Sequence, residues 1–372
     1  MQVDVVGGGL AGALLGWRLA EQPTVDRVRI APGPAAADAT AASGGNVRAY
    51  EVNPAQRALA VRSMAELRAD SRLRAWSGYV ECGTLYLPER TADLAEAVAG
   101  INGALPGSAS VLDAAELAAL GFAGLPADAA GVREQQAGYL DPARFRTAVL
   151  ADLAGRPNVR LLPEGAISDL DPSGFTLAGE RYSTDLLVLA TGAWTPALLT
   201  GAGLPATGLT TKSIQYQIHS ASGALPIAFV DDHTGLFGKP VPDGRLLLGL
   251  PTDGWAAPAT GVGVDAGLAE RAVRLATERF PSLTLSDPAG PVTAVDCYAV
   301  SESAEPGLLA LRPVEGTDGR LYTFTGGSGG AAKTALAASR LAAIQLAGVR
   351  STTSGVAAQS ADPSAHLSSV GS

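Results

Sequence analysis

The sequence predicts an α/β chain: a parallel sheet with helices packed on it, joined to a second, α+β domain built on an antiparallel sheet. Three observations predict this. The first thirty or so residues read strand, glycine turn, helix, strand. Leu186 to Ala190 is a continuous apolar run, the character of a strand buried on both faces, as parallel strands are. Thr210 to Leu250 carries strand-like runs separated by turns (SIQYQIH, PIAFVDD, GLFGKPV, RLLLGL), which suits antiparallel pairing.

The N-terminal unit is the most informative. Val3, Val5 and Val6 form an apolar β-branched run that feeds Gly7-Gly8-Gly9-Leu10-Ala11-Gly12, a G-x-G-x-x-G. A helical pattern follows, then a second strand around Val28, Arg29 and Ile30. At this spacing Gly7 makes the tight turn, Gly9 lets the backbone approach a pyrophosphate, and Gly12, with Gly16 one helical turn on, lets the helix pack closely on the sheet. The helix N-terminus then points N–H groups and a positive dipole end at the phosphates. The unit therefore reads as a Rossmann-like dinucleotide site. It does not choose the dinucleotide. A carboxylate at the end of the second strand would hold a ribose hydroxyl, but that stretch is Ile30-Ala31-Pro32-Gly33, with Asp26 before it and Asp38 well after.

The remaining elements follow in order. Ala35 to Gly45 is a small-residue loop, Pro54 to Trp76 a helix, and Glu81 to Leu87 a strand. Thr91 to Leu105 and Asp113 to Leu120 are expected helices, the second capped by its aspartate. Gly138-Tyr139-Leu140-Asp141-Pro142 turns into a helix that ends near Gly155, with Asp141 as N-cap and Pro142 in the first turn. Strands are expected around Val159–Leu162 and Phe175–Leu177, and the Leu186–Ala190 run stops at Thr191-Gly192-Ala193-Trp194. Asp265 to Phe280 is a capped helix. Leu321 to Thr325 is a strand running into Gly326 to Gly330, and the alanine-rich helix Ala331 to Leu346 comes next. Ser351 to Ser372 has the composition of a disordered tail. The expected domains are 1–80, 136–205 and 298–350 for the dinucleotide, and 81–135 with 206–297 for the substrate.

Composition narrows the function classes. The 372 residues are 47% hydrophobic and 17% charged, which is globular. The net charge of −9 and the absence of a basic run make nucleic acid and anionic membrane poor partners. No signal-peptide pattern and no apolar span of membrane length is present, so a cytoplasmic protein is expected. Two cysteines, Cys82 and Cys297, make no disulfide framework, and three histidines are too few for a histidine-based metal site.

Four separated motifs together resemble one family. They are the G-x-G-x-x-G; Ser43-Gly44-Gly45-Asn46-Val47-Arg48; GYLDP at 138–142 with LLVLATGAW at 186–194; and GGSGGAAK at 326–333. In this order and at these spacings the chain is similar to the D-amino-acid oxidase superfamily, the FAD-dependent amine oxidases that include glycine oxidase and monomeric sarcosine oxidase, over roughly residues 1 to 350. The resemblance implies a glutathione-reductase-type FAD-binding domain, with the isoalloxazine at the domain interface and a hydride passing to flavin N5 from the C–H beside a substrate nitrogen. It assigns to FAD the glycines Gly7, Gly9 and Gly12, the segment Ser43, Gly44, Gly45, Asn46 and Arg48, then Thr191, Gly192 and Trp194, and the turn Gly326, Gly327, Ser328, Gly329 and Gly330.

The resemblance also assigns roles by position. Arg48 faces the flavin ring. Lys333 binds the carboxylate of the substrate and lies against the flavin. The family's second arginine, three residues after the first, is Glu51 here, so a plain α-amino acid is not favoured and Glu51 is expected to attract a cationic amine. The implied substrate is a small-molecule amine, modified or carrier-bound. Cys297 matches a cysteine that in some relatives is bonded to the flavin; a buried, unreactive thiol and a non-covalent FAD are favoured. The oxygen-activating lysine position reads as leucine in Arg245-Leu246-Leu247-Leu248-Gly249, with Lys239 and Arg245 nearby but not equivalent, so the electron acceptor is oxygen or another acceptor. Lys212, Gln215, Tyr216 and Tyr298 are candidate pocket residues. His219 reads as a structural or rim residue. Two rival readings share the cofactor fold: a flavin monooxygenase of a biosynthetic pathway, against which GYLDP and GGSGGAAK argue, and a non-catalytic FAD-binding subunit.

Overall fold

The structure is a computed structural model that describes residues 1–34, 38–91, 93–223, 227–300 and 307–357. Strand Gln2–Val6 pairs in parallel with Leu186–Leu189 on one side and Arg27–Ala31 on the other. The whole sheet runs Ala310–Pro313, Leu321–Thr325, Leu186–Leu189, Gln2–Val6, Arg27–Ala31, Val159–Leu161, with only the first strand antiparallel. Three distant pieces of sequence thus meet in one layer. Their carboxyl ends bring the turns after Val6, Leu189 and Thr325 to one edge, where α/β sheets bind ligands. Helix Leu10–Leu19 lies so close that a Cβ on Gly16 would come within 2.5 Å of Ile30 Cδ1. The last helix, expected to end at Leu346, runs on to Ala357 and packs on Leu10–Leu19 and Pro54–Ala69. The rest of the expected tail, 358–372, lies outside the described residues.

Among the described residues the second sheet has nine strands around the 14-residue strand Leu209–Ser222, which pairs with Val292–Ala299 and Thr284–Ser286 along one edge and with Arg245–Gly249 along the other. It is antiparallel except where Ala228–Asp231 runs parallel to Thr84–Leu87. Helix Ala266–Arg279, capped by Asp265, covers it through Leu268, Ala272 and Ala276. Phe122, Phe229 and Phe280 fill the space between in edge-to-face contacts. The expected division at 297/298 falls within strand Val292–Ala299, which reaches from this sheet to the glycine turn: Tyr298 bridges to Gly327.

Two expected elements differ. The helix expected over Pro54 to Trp76 is two, Pro54–Ala69 and Ser71–Ser77. Asp70 leaves the helical region (φ −108°, ψ 108°) and its carboxylate accepts from the N–H groups of Arg72 and Leu73, so one aspartate stops the first helix and caps the second. The strand expected over Glu81 to Leu87 is also two. Val80–Glu81 joins a small sheet with Asn46–Val47 and Gly138–Tyr139, and Thr84–Leu87 joins the large one. The change of sheet occurs at Gly83, whose φ of +77° favours glycine. Strands Ala109–Leu112, Gly131–Glu134 and Val292–Ala299 were not legible beforehand; they lack a clean alternation.

Candidate active site

The glycine turn after the first strand separates two kinds of constraint. Gly7 has φ +115°, and a Cβ there would sit 2.2 Å from Ala190 O; a Cβ on Gly12 would sit 2.0 Å from Gly7 O. These two glycines serve the close contact of strand, turn and helix, and Gly12 does not line the cavity. Gly9 is different: its Cβ would meet only Thr40 Oγ1, at 3.2 Å. The space above Gly9 is open to a ligand. The two motifs that follow are bound together. Asn46 pairs with Tyr139, Val47 with Gly138, and Leu140 N–H donates to Gly45 O at 2.9 Å. The small-residue segment is thereby held flat against the GYLDP turn.

From this turn a cavity of about 630 Å³ extends to the second sheet, within the size range of cofactor sites. Gly7 and Gly9, Ser43 to Asn46, Arg48, Thr191, Gly192 and Trp194 line it. So do Tyr216, Cys297, Tyr298, Gly327 to Gly330 and Lys333. Gly326 and Glu51 do not. Gly326 (φ +90°) turns the chain beside Ala299 and Arg312. At the other end the second strand finishes without a carboxylate, and Asp38, paired with Arg146 at 2.5 Å, supplies the cavity's acidic group there.

At the far wall stands a buried cluster of charges. Glu51 Oε1 lies 2.9 Å from both Arg48 Nη2 and Lys333 Nζ, and all three residues are less than a tenth exposed. Burial works against the charge of Glu51, but Arg48 and then Lys333 outweigh it and hold the carboxyl below its ordinary value. Burial lowers the Lys333 ammonium, with Glu51 opposing. The expectation that Glu51 meets a cationic amine is therefore revised: the carboxylate lies behind the wall and is shared between two cations. Arg48 also donates through Nε to Tyr50 O and stacks over the Tyr86 ring at 4.7 Å. Its segment is fixed from the second sheet by Glu134, whose two oxygens accept from Ala49 N–H at 2.8 Å and Tyr50 N–H at 2.7 Å. Sequence reasoning missed Glu134 and Tyr86, because their contacts join segments more than thirty residues apart.

Other candidates sort by contact. Gln215 grips the cap of helix Ala266–Arg279, donating to Asp265 O at 2.7 Å and accepting from Asp265 N–H at 2.8 Å, a structural use of both ends of its amide. Lys212 lines the cavity and lies over the Trp255 ring at 4.6 Å. His219 is buried, which lowers its pKa, in keeping with a structural residue. The Cys297 thiol is buried at the cavity wall, and burial pushes its pKa up, disfavouring the thiolate. Lys239, set aside from sequence, pairs in register with Leu247 on the adjacent strand, so both side chains share a face. Lys239 lines the cavity, lies 4.0 Å over the Tyr139 ring, and is lowered by burial to about 8. Asp296, also missed, is a cavity-wall carboxylate pushed up to about 7 by burial.

A backbone cradle at the ends of parallel strands, continuous with a buried, charged chamber under a second sheet, has the form of a dinucleotide site with a reaction chamber beside it. The chain belongs to the FAD dependent oxidoreductase (DAO) family, whose pattern matches residues 2–344. The open space at Gly9 and the small-residue wall Ser43–Gly45 fit FAD, the cofactor of that family. Among curated proteins none matches the sequence. Among solved structures the fold is similar to glycine oxidase from Geobacillus kaustophilus (22% identity, 94% of each chain covered, TM-score 0.70). It is also similar to L-proline dehydrogenase from P. horikoshii (17%, 93% of this chain and 92% of that one, TM-score 0.72). A third is NikD, an amino acid oxidase essential for nikkomycin biosynthesis (20%, 94% of each chain, TM-score 0.69). Among the described residues no helix is long and apolar enough to cross a membrane.

Proposed function

We propose that the protein oxidises the C–N bond of a small amine or amino-acid-derived substrate held between the flavin ring and the second sheet. The observation that carries this reading is the Arg48–Glu51–Lys333 cluster against the same cavity as the glycine cradle. When bound, FAD supplies the acceptor for the hydride leaving the carbon beside nitrogen. The chain does the rest. Gly327 to Gly330 offer backbone N–H groups to an electron-rich ring edge. Arg48, fixed by Glu51 and Tyr50 O, keeps a positive charge at the chamber wall. With one carboxylate between two cations, the cluster keeps a net charge of about +1, which favours an anionic or strongly polar group of the substrate beside Lys333.

A single ammonium fixes such a group less firmly than an arginine fork would. Apolar contacts to Tyr216 and Tyr298 are then needed to align the donor, and glycine, sarcosine and simple D-amino acids are poor substrates. A modified or carrier-bound amine suits this chamber better. The raised Cys297 thiol supports a non-covalent FAD, which acid precipitation should release. The test is anaerobic addition of amines to FAD-loaded protein. Loss of flavin colour with an extended amine, faster than with sarcosine or D-alanine, supports the reading. Rapid bleaching by sarcosine, unchanged in Lys333→Met, would refute this picture of the chamber.

A further inference from the structure

Two carboxylates line the cavity among the described residues, and they are unlike. Asp38, at the cradle end, is paired with Arg146. Asp296, on strand Val292–Ala299, is only 6% exposed, and among the described residues it has no ion pair and its Oδ2 has no hydrogen-bond donor. Buried carboxylates are ordinarily paired, because the charged form is costly away from water. The cation best placed to pair with it is its cross-strand partner, Lys212, and that side chain turns instead to the Trp255 ring. Tyr298, two residues on, stands on the same face of its own strand.

What Asp296 faces is the glycine turn. A Cβ on Gly329 would lie 3.2 Å from Asp296 Oδ2, and a Cβ on the next residue, Gly330, would lie 2.6 Å from Lys333 Nζ. One short turn thus has a free carboxyl on one side and the ammonium of the charged cluster on the other. The absence of side chains at both glycines lets the carboxylate and the ammonium close against the turn, at the wall of the cavity. Glu51 cannot receive a substrate cation, since it lies behind the cavity wall and is shared by Arg48 and Lys333.

We propose that Asp296 seats the ammonium group of the substrate, whose polar or anionic end points toward Lys333. This rests on the amine-oxidising reading above and names the group that selects for a cation. The substrate class is then a primary or secondary amine that is charged in solution, with a second polar group a few bonds from the nitrogen. The unsatisfied carboxyl of the ligand-free protein becomes satisfied on binding, an ion pair in a water-poor chamber.

The test compares tert-butylamine, tert-butanol and pivalate, which match in shape, differ in charge and have no oxidisable C–H beside the heteroatom. Their dissociation constants are measured by calorimetry on the FAD-loaded protein at pH 8. Wild type should bind the amine at least tenfold more tightly than the alcohol. Asp296→Asn should reduce that preference to within twofold, with FAD content and pivalate binding unchanged. Persistence of the preference in Asp296→Asn, its absence in wild type, or loss of FAD in the variant would each overturn the proposal, the last by assigning the carboxyl to the cofactor. Failure of the wild type to take up FAD would sink the underlying reading instead; the same three probes on the cofactor-free chain would still measure the charge preference of Asp296.

Discussion

The two ends of the cavity are built from different materials. The cradle end is nearly all backbone: Gly7, Gly8 and Gly9 and the Ser43–Asn46 segment, with one paired carboxylate. The chamber end is side chain and charge: Arg48, Glu51, Lys333, Lys239 and Asp296, all less than a tenth exposed. A cradle for a ligand common to many enzymes can be made of spacing alone. A chamber for a particular substrate stores its specificity in buried charges, and those carry a cost in stability.

The sharpest way to break this contrast is at the cradle. Gly12→Ala drives a Cβ to 2.0 Å from Gly7 O, a backbone atom that cannot swing aside, and should abolish soluble folded protein. At Gly9 an added Cβ meets only Thr40 Oγ1 from the protein, so in Gly9→Val the cofactor-free chain should melt close to wild type while FAD uptake is lost. Equal loss of folding in both variants would mean Gly9 serves the fold.

At the chamber the next largest effect is expected from Glu51→Gln, which leaves Arg48 and Lys333 facing each other without their shared carboxylate. Removing one partner of a buried ion pair costs about 3–5 kcal/mol, so urea unfolding should shift by that order, and the Lys333 ammonium, no longer supported, should fall further in pKa. An unchanged midpoint would show the cluster to be solvated.

Asp296 should behave in the opposite sense. Its folded-state value, about 7, lies above the unfolded value of about 3.9, so the penalty is absent below about pH 4 and full above about pH 7. By linkage this amounts to a few kcal/mol at most. Asp296→Asn should therefore stabilise the ligand-free protein at pH 8 and do little at pH 4; equal effects at both pH values would contradict the assignment of burial as the cause.

The smallest effect concerns the electron acceptor. Lys239 stands across from Leu247 and faces the cavity with a lowered pKa. If it serves the acceptor step, Lys239→Met should slow reoxidation of the photoreduced flavin by oxygen severalfold while leaving FAD affinity unchanged, measured by stopped-flow absorbance.

The same contrast explains what was legible in the sequence. The cradle could be read because its requirements are local: the order strand, Gly7, Gly9, Gly12, helix is itself the geometry. Caps were equally readable at Asp141 and Asp265, where an aspartate accepts from an N–H three residues on. Asp70 was not, because an aspartate inside an alanine- and arginine-rich run looks like a surface residue until its dihedrals are seen. The chamber resisted for a different reason. Glu51 could be noticed as a departure from the family pattern, but its partnership with Lys333, 282 residues away, depends on the convergence of the first and last pieces of the parallel sheet. Asp296 carried no local signal, since a carboxylate within a strand gains meaning only from what fails to reach it.

The central claim is most directly tested by what bleaches the flavin. FAD-loaded protein, kept anaerobic, is mixed in turn with amines that carry a C–H beside the nitrogen, with tert-butylamine, and with NADH or NADPH, and the flavin absorbance is followed. The account predicts loss of the oxidised-flavin band with at least one extended, oxidisable amine and none with tert-butylamine or the nicotinamides. Reduction by NADH or NADPH alone, with every amine inert, would contradict it and favour a monooxygenase.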